Sequence, residues 1–423
     1  MMILVSVLVL CSVVAVRSSP HADLVAQLAK SDSRIAHDIL EDASLDVPEL
    51  VRKYGYPLEV HDVVTQDGYI LGVHRIPRGR DRNNKPGPRP VVFLMHGLFS
   101  SSADWVVKGP GCSFAYILAE EGFDVWMGNA RGTYYSRRHL TLNPNSKRTG
   151  TFWRFSWDEI GNRDLPAMID YALAVSGRDG LHYVGHSQGT TVFFVMGSLR
   201  PAYNQKILSM HAFAPVAYMA HNENPVFRFL APYALRIELA LSLIGFTEFL
   251  PNNQATTWAG QNFCMDDVKW QPLCTNLIFL LAGRNEEQFN ATLLPLKLGH
   301  TPAGASSRQI IHYAQGIHQN VFRRFNHGTT IGNILAYGTA QPPDYDLSRI
   351  TAPVYLHYTP NDPLAHLADV ERLYKELPNP TKHRVPLNTF NHVDFIWAID
   401  ADTLLYYPTI ELIKSLDSHF TDK

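Results

Sequence analysis

The stretch from residue 181 to residue 196 constrains the fold more than any other part of this chain. It begins with an apolar, β-favouring run at residues 181–184 and passes through Gly185-His186-Ser187-Gln188-Gly189 into an apolar segment long enough to begin a buried helix. A strand that turns sharply into a helix needs glycine at both ends of this motif, because the two elements approach too closely for a Cβ. We therefore predict a strained turn that holds the Ser187 hydroxyl at the positive end of the helix dipole.

A series of apolar runs predicts the core of the fold. The runs lie at residues 91–95, 123–127, 181–184, 209–214, 354–359 and 385–390. Continuous apolar runs of this length are typical of strands that are buried on both faces. Helical patterns at residues 113–121 and 164–175 lie between them, and such alternation favours a mostly parallel sheet covered by helices. The chain is therefore predicted to be an α/β protein, opened by a hairpin of residues 58–64 and 69–76.

The alternation stops over a long interval, residues 215–345. This interval is rich in apolar and aromatic residues and carries only four charged side chains between positions 225 and 250. We predict a helical insertion here, between a first core part at residues 51–214 and a second at residues 346–423. The insertion is interpreted as a cap, or lid, whose apolar face lines a substrate site. The alternative is a small helical subdomain with its own core.

The first residues have the pattern of a secretory signal. The apolar run at residues 3–16 is too short to cross a bilayer as a helix and has the length of a signal's hydrophobic region, although no Lys or Arg precedes it. Small residues at positions 15–19 offer a cleavage site. Residues 1–19 are therefore predicted to be a signal peptide, with an uncleaved anchor as the alternative, and residues 20–50 a helical segment or pro-segment.

The cysteines agree with export. Of the four, Cys11 lies in the predicted signal, and Cys264 and Cys274 are close enough in sequence for an oxidising compartment to favour a bridge, which loop entropy values at roughly 3 kcal/mol. Cys112 is then the unpaired thiol, interpreted as a small buried hydrophobic residue. No cysteine or histidine spacing indicates a metal site. Asn290-Ala291-Thr292 is an acceptor sequence for N-glycosylation in a secreted chain.

Ser187 needs a base to become a nucleophile, and the base needs a carboxylate to orient it. In the strand–turn–helix context of Gly-x-Ser-x-Gly the chain order is serine, acid, histidine. Asp362 follows the predicted strand at residues 354–359, and His392 lies just past the predicted strand at residues 385–390. We assign Asp362 as the orienting acid and His392 as the general base and acid. Asp346 and Asp394 are alternative acids, and His357 and His366 are interpreted as structural.

An oxyanion formed at Ser187 would need backbone donors. One is predicted to be the N–H of Gln188, directly after the serine. The other is predicted to be the N–H of Leu98, in the loop Met95-His96-Gly97-Leu98-Phe99-Ser100 after an early strand. His96 is interpreted as a support for this loop.

These residues together resemble the acid lipases, a family that includes gastric lipase, lysosomal acid lipase and insect digestive lipases. The resemblance runs from about residue 54 to the end of the chain. It rests on His96-Gly97-Leu98, Gly128-Asn129-Ala130-Arg131-Gly132, Phe155-Ser156-Trp157-Asp158-Glu159, Gly185-His186-Ser187-Gln188-Gly189-Thr190, Asn361-Asp362 and Asn391-His392-Val393-Asp394-Phe395.

The resemblance implies an α/β-hydrolase core with a cap, hydrolysis of triacylglycerols or cholesteryl esters, and no metal or diffusible cofactor. It implies nucleophile, acid and base at Ser187, Asp362 and His392, and it also suggests the bridge between Cys264 and Cys274. One departure is His366, where relatives usually have an acidic residue; this difference bears on the loop that holds Asp362.

Three functions remain in comparison. The leading hypothesis is a secreted serine lipase acting on lipid esters at a lipid–water interface, with a lysosomal location as the alternative. The second is an esterase for small soluble esters, and the third is a catalytically inactive lipid-binding protein on a lipase scaffold. A formal net charge of −2 and the lack of a basic block argue against a nucleic-acid partner.

Overall fold

The protein is described from a computed structural model, which covers residues 34–146, 150–243, 247–251 and 271–417. The predicted signal peptide at residues 1–19 lies outside the described residues. Within them, no helix is both long and apolar enough to cross a membrane.

In the described part of the chain, nine strands form the central sheet, and two short strands pair with each other elsewhere. The strands are β1 (Glu59–Val64), β2 (Tyr69–Ile76), β3 (Val91–Met95), β4 (Asp124–Gly128), β5 (Arg138–His139), β6 (Leu181–His186), β7 (Ile207–Phe213), β8 (Glu248–Phe249), β9 (Ala305–Ser306), β10 (Val354–Tyr358) and β11 (Pro380–Arg384). The sheet order is β1-β2-β4-β3-β6-β7-β10-β11, with β5 beside β2. All pairs from β4 to β11 are parallel, and β2 is antiparallel to β1, β4 and β5. The predicted mostly parallel sheet is confirmed.

The helices lie between and beyond the strands. They are α1 (Arg34–Ser44), α2 (Val47–Lys53), α3 (Phe114–Glu120), α4 (Trp157–Glu159), α5 (Leu165–Ser176), α6 (Gln188–Leu199), α7 (Pro225–Leu230), α8 (Ala234–Leu243), α9 (Gln271–Ala282), α10 (Leu294–His300), α11 (Ser307–Gln319), α12 (Thr330–Tyr337), α13 (Leu367–Glu376), α14 (Asp394–Trp397) and α15 (Tyr407–Leu416). A π-helical turn, Ile160–Asp164, joins α4 to α5.

The central strands read as apolar because both of their faces are covered. Every residue of β3, β4 and β6 is buried. Burial of apolar surface on both faces stabilises the sheet by about 25 cal/mol per Å² removed from water. Since these strands run parallel, their carboxyl ends all meet at one edge of the sheet, where the loops after them can converge.

The last strand is not where the apolar pattern predicts it. Residues 385–390 form a loop, and the strand is β11, Pro380–Arg384, whose residues are half-buried or exposed. The prediction was wrong because, among the described strands, β11 lies at the edge of the sheet and pairs with β10 alone, so its side chains need not be apolar. Pro386 also lacks the N–H that a ladder would require.

The interval at residues 215–345 holds helices α7 to α12 and the small β8–β9 pair. Five of its buried side chains form a cluster of their own: Ala231, Ala234, Ile311, Ala314 and Phe325. Other residues of the interval, such as Tyr313 and Phe322, join the main core. A partly buried ion pair also ties it to the core, because Arg324 Nε and Nη2 donate to both carboxylate oxygens of Asp158 at 2.8 and 2.9 Å.

Cys112 is not buried as expected. It is a free cysteine and it is exposed, in the turn that precedes α3. The chain passes here from the buried Gly109 to the exposed Gly111, and connecting turns rarely bury their side chains. The interpretation of Cys112 as a core residue was therefore wrong.

Candidate active site

Ser187 occupies a strained turn between β6 and α6. Its backbone angles are φ 51° and ψ −114°, outside the regions that L-residues favour. A Cβ added at Gly185 would lie 2.6 Å from the carbonyl carbon of Gly189. A Cβ added at Gly189 would lie 2.2 Å from the main-chain oxygen of Met95. Both glycines are therefore needed for the close approach of β6, α6 and β3. This geometry leaves the Ser187 side chain half-buried at the carboxyl edge of the sheet.

Three side chains from distant parts of the chain form one hydrogen-bonded line at this edge. Ser187 Oγ lies 2.8 Å from His392 Nε2, and His392 Nδ1 lies 2.8 Å from Asp362 Oδ2. Asp362 is in the loop after β10, and His392 is in the loop after β11. The hydroxyl can donate to Nε2 while Nδ1–H donates to the carboxylate. In this arrangement the imidazole can take a proton from the serine.

Both oxygens of the Asp362 carboxylate have hydrogen-bond partners. Its Oδ1 accepts the N–H groups of Leu364 and Ala365 at 2.9 and 2.8 Å, and its Oδ2 faces His392. Burial raises the pKa of Asp362, but His392 and these two N–H groups outweigh that effect and hold the pKa below its usual range. Asp362 is therefore charged at neutral pH. At the departure from the family pattern, His366 Nδ1 accepts the Ala368 N–H and caps α13.

The two alternative acids lie elsewhere. Asp394 Oδ2 accepts the Asn391 N–H at 2.8 Å and the Asn285 amide at 2.6 Å. Burial raises the pKa of Asp394 to about 6. Asp346 caps a short turn by accepting the Ser348 N–H at 3.1 Å. Neither carboxylate hydrogen-bonds to the His392 imidazole.

His186, inside the serine motif, has a contact that the sequence analysis missed. Its Nε2–H donates to the main-chain oxygen of His392 at 2.9 Å. Burial lowers the pKa of His186 to about 3, so the ring is neutral. The position of His186 directly before Ser187 is the sequence feature that could have predicted a contact at this site. His357, interpreted as structural, bonds to His211 at 3.2 Å in the core and does not touch the candidate triad.

The loop after β3 lies against the serine. An added Cβ at Gly97 would be 3.3 Å from Ser187 Cβ. Within the described ranges, neither the N–H of Leu98 nor that of Gln188 donates a hydrogen bond to another protein group. Phe99, at φ 65°, presents its carbonyl to the Ala303 N–H at 2.6 Å. The two N–H groups predicted as oxyanion donors thus lie in the segments around Ser187 and have no protein acceptor among the described residues.

His96 supports this loop from below. Its Nδ1–H donates to the Gly97 oxygen at 2.7 Å, and its Nε2 accepts the Ala130 N–H at 3.1 Å. This pair of bonds requires the neutral ring, and burial lowers the pKa of His96 to about 4.

The pKa of His96 predicts a pH-dependent contribution to stability. The unfolded chain binds the proton near pH 6.5 and the folded chain only near pH 4, so stability is highest above pH 6.5 and falls as pH drops towards 4. Between about pH 7.5 and pH 5 this one ring should remove about 2 kcal/mol from the free energy of unfolding. Urea unfolding of wild type and His96→Asn at both pH values measures it. We expect a smaller loss with acidification in the variant; an equal loss in both would contradict the assignment.

A small cavity lies behind the loop after β3. Its walls include Met95, Gly97, Phe99, Gln188, Val192 and Gln309. Gln188 Nε2 donates to Gln309 Oε1 at 2.6 Å, and both side chains are buried. The serine motif is therefore linked directly to α11 of the interval at residues 215–345.

Two predicted modifications remain predictions. Cys264 lies outside the described residues, so its pairing with Cys274, on α9, is not described. Asn290 is half-buried at the start of a short turn, Ala291–Leu293.

Known proteins resemble the chain over most of its length. Two family models match it: a partial alpha/beta-hydrolase lipase region over residues 47–109 and an alpha/beta hydrolase fold over residues 90–260. Lipase 1 of Drosophila melanogaster is 43% identical over 378 residues, which cover 89% of this chain and 81% of that protein. Human gastric triacylglycerol lipase is 36% identical over 376 residues, which cover 88% of this chain and 92% of that protein. The solved structure of a protein from Sulfolobus solfataricus shares the fold at a TM-score of 0.55 and 13% sequence identity. The match covers 85% of this chain and 99% of that one.

The fold and these matches define an ester hydrolase of the α/β-hydrolase class. Within that class the chain belongs to the acid lipase family, and it is a lipase.

Proposed function

We propose that this lipase hydrolyses the carboxylic esters of neutral lipids, with triacylglycerol as its principal substrate, through an acyl-enzyme on Ser187. The observation that carries the proposal is the continuous line from Asp362 through His392 to Ser187, with 2.8 Å at both links. The similarity to gastric triacylglycerol lipases supports the choice of substrate. Cholesteryl ester is proposed as a second substrate, on the resemblance to acid lipases.

In the first half-reaction His392 Nε2 takes the Ser187 proton as Oγ attacks the ester carbonyl carbon. The carbonyl electrons move to oxygen and form the tetrahedral oxyanion, which the N–H groups of Leu98 and Gln188 bind. When the carbon–oxygen bond of the alcohol breaks, the imidazolium gives its proton to the leaving alkoxide. Asp362 remains charged throughout and stabilises the imidazolium through Nδ1–H.

In the second half-reaction a water molecule replaces the alcohol. His392 takes a proton from this water as it attacks the acyl carbon, and the same two N–H groups hold the second oxyanion. The bond to Ser187 Oγ then breaks, and the proton returns to the serine as the fatty acid leaves. The hydroxyl is regenerated, so no reagent other than water is consumed.

The exposed apolar side chains of residues 215–345 support action at a lipid–water interface. Those among the described residues of the interval are Phe229, Tyr233, Leu235, Leu239, Leu280, Leu281, Ile331, Ile334 and Leu335. On α12 alone, Leu335 is 82% exposed and Ile331 71%. Exposed apolar surface of this kind is stabilised when it enters a lipid boundary. We propose that residues 215–345 form a cap whose α12 face contacts the lipid surface.

Charging this face should separate emulsified from soluble substrates. The double variant Ile331→Asp, Leu335→Asp is expected to lower the rate on emulsified triolein about tenfold, since the interfacial burial of two side chains is lost. The rate on dissolved p-nitrophenyl butyrate should stay within about twofold. Leu140→Asp, at a 64% exposed leucine outside the cap, is the matched control and should change neither rate. Equal losses on both substrates would argue against a lipid-contact role.

A substrate profile tests the proposed function itself. Rates on triolein, cholesteryl oleate, a phospholipid and p-nitrophenyl butyrate should be measured from acid to neutral pH. A lipase for neutral lipids should prefer triolein emulsions, whereas hydrolysis confined to the dissolved ester would identify a soluble-ester esterase. Binding of triolein without any turnover would identify an inactive lipid-binding protein.

We also propose that the chain is secreted, with a lysosomal location as the alternative. The apolar run at residues 3–16 and the acceptor sequence at Asn290 support this location.

A further inference from the structure

The residues that directly precede the candidate acid and base share an unusual contact. Asn361 precedes Asp362, and its Nδ2 donates to the Arg284 oxygen at 3.0 Å and to the Thr389 oxygen at 2.6 Å. One amide therefore spans the acid loop, the base loop and the segment that follows α9.

Asn391, which precedes His392, also bonds to the segment that follows α9. Its Nδ2 donates to the Gly283 oxygen at 2.9 Å, and its Oδ1 accepts the N–H groups of Val393 and Asp394 at 3.0 and 3.1 Å. Asn391 is buried, and its own N–H donates to the Asp394 carboxylate at 2.8 Å. The base loop is thus folded around this one asparagine and attached to the residue next to Arg284.

The backbone of His392 is held on the same segment. Its N–H donates to the Ala282 oxygen at 3.0 Å, so three consecutive carbonyls, at residues 282–284, accept hydrogen bonds from the two loops. The Ala282 carbonyl is the last of α9, where a helix leaves its final oxygens without partners of its own, and the Gly283 and Arg284 carbonyls follow it directly. The active-site loops satisfy them.

Gly283 lies between the two loops, where there is no room for a side chain. Its φ is +96°, and an added Cβ would lie 2.7 Å from the Asn361 oxygen and 3.0 Å from Asn391 Cβ. The segment therefore sets how far apart the two loops stand, and with them Asp362 and His392.

We propose that Asn361 and Asn391 are positioning residues, which register the acid and base loops on an anchor segment, residues 282–284, of the cap. This proposal rests on the proposed function. Catalytic alignment depends on this anchor because a proton must pass between Ser187 and His392 over a distance that a small displacement of the loop changes. Any rearrangement of the cap that preserves activity must leave residues 282–284 in place.

The test uses the full-length enzyme and p-nitrophenyl butyrate, a dissolved ester that does not depend on interfacial contact. Asn361→Ala and Asn391→Ala are each expected to lower kcat roughly tenfold and to leave KM within about twofold, because they misplace the base without removing a substrate contact. The rate of Ser187 inactivation by a small phosphonate should fall by the same factor. Asn361→Ser, whose hydroxyl cannot span both carbonyls, gives a second and milder change at the half-buried position.

Asn379→Ala is the matched control. The Asn379 amide also donates to a main-chain oxygen, that of Thr351 at 2.8 Å, but at the opposite edge of the sheet. This variant should leave kcat unchanged. The proposal is overturned if the Asn361 and Asn391 variants keep wild-type kcat, or if Asn379→Ala loses as much activity as they do. Failure of the proposed function would look different, since wild type would then not hydrolyse the ester or Ser187→Ala would still do so.

Discussion

Ser187→Ala is expected to lower kcat for ester hydrolysis by roughly four to six orders of magnitude, because the acyl-enzyme can no longer form. At about 1.4 kcal/mol for each factor of ten, this loss corresponds to roughly 5 to 8 kcal/mol of barrier height. The free energy of unfolding should change by less than about 1 kcal/mol, since alanine meets the same backbone constraint as serine at φ 51°. Steady-state rates on triolein and p-nitrophenyl butyrate, with urea unfolding of the same samples, measure both quantities.

Ser198→Ala is a useful control for this variant. Ser198 is a buried serine on the same helix, α6, about three turns beyond the strained turn. It should retain wild-type kcat. Residual hydrolysis by Ser187→Ala within about a hundredfold of wild type would rule out Ser187 as the nucleophile.

Asp362→Asn is expected to lower kcat by roughly four orders of magnitude. Both oxygens of Asp362 act as acceptors, one for the His392 Nδ1–H and the other for two N–H groups of its own loop. Asparagine has one acceptor oxygen, so its NH₂ must face one of these donors. If it faces the ring, the proton moves to His392 Nε2, and the imidazole can no longer accept the Ser187 proton.

Asp394→Asn provides the contrast, with an expected loss in kcat of less than about tenfold. A single oxygen of Asp394, Oδ2, accepts both the Asn391 N–H and the Asn285 amide. The asparagine oxygen can take over both bonds, so the base loop should keep its shape. Rates on p-nitrophenyl butyrate at saturating substrate compare the two variants directly. A larger loss in Asp394→Asn than in Asp362→Asn would transfer the role of the acid to Asp394.

Much of the fold could be predicted because its signals are local. The fully buried strands β3, β4 and β6 give continuous apolar runs. The two glycines of the serine motif indicate that the strand and the helix on either side of Ser187 approach closely. The order of Ser187, Asp362 and His392, each in a loop after a predicted strand, was enough to predict that they meet. In a parallel sheet, such loops converge at one edge.

Other features depend on contacts between distant segments, which no local pattern records. The strand before His392 was placed five residues late, because an edge strand needs no apolar face. The amides of Asn361 and Asn391 are ordinary turn residues in the sequence, and only the folded chain brings them to the carbonyls after α9. The exposure of Cys112 likewise depends on the path of its turn and not on its residue type.

The most direct measurement of the central claim is mass spectrometry after treatment with a long-chain phosphonate ester that reacts with activated serines. One phosphonyl group per chain is expected, on the peptide that contains Ser187, with hydrolysis lost in proportion to labelling. The His392→Ala variant should label orders of magnitude more slowly, because no base remains to take the proton. Labelling at another serine, or equal labelling of wild type and His392→Ala, would contradict an Asp362–His392–Ser187 mechanism.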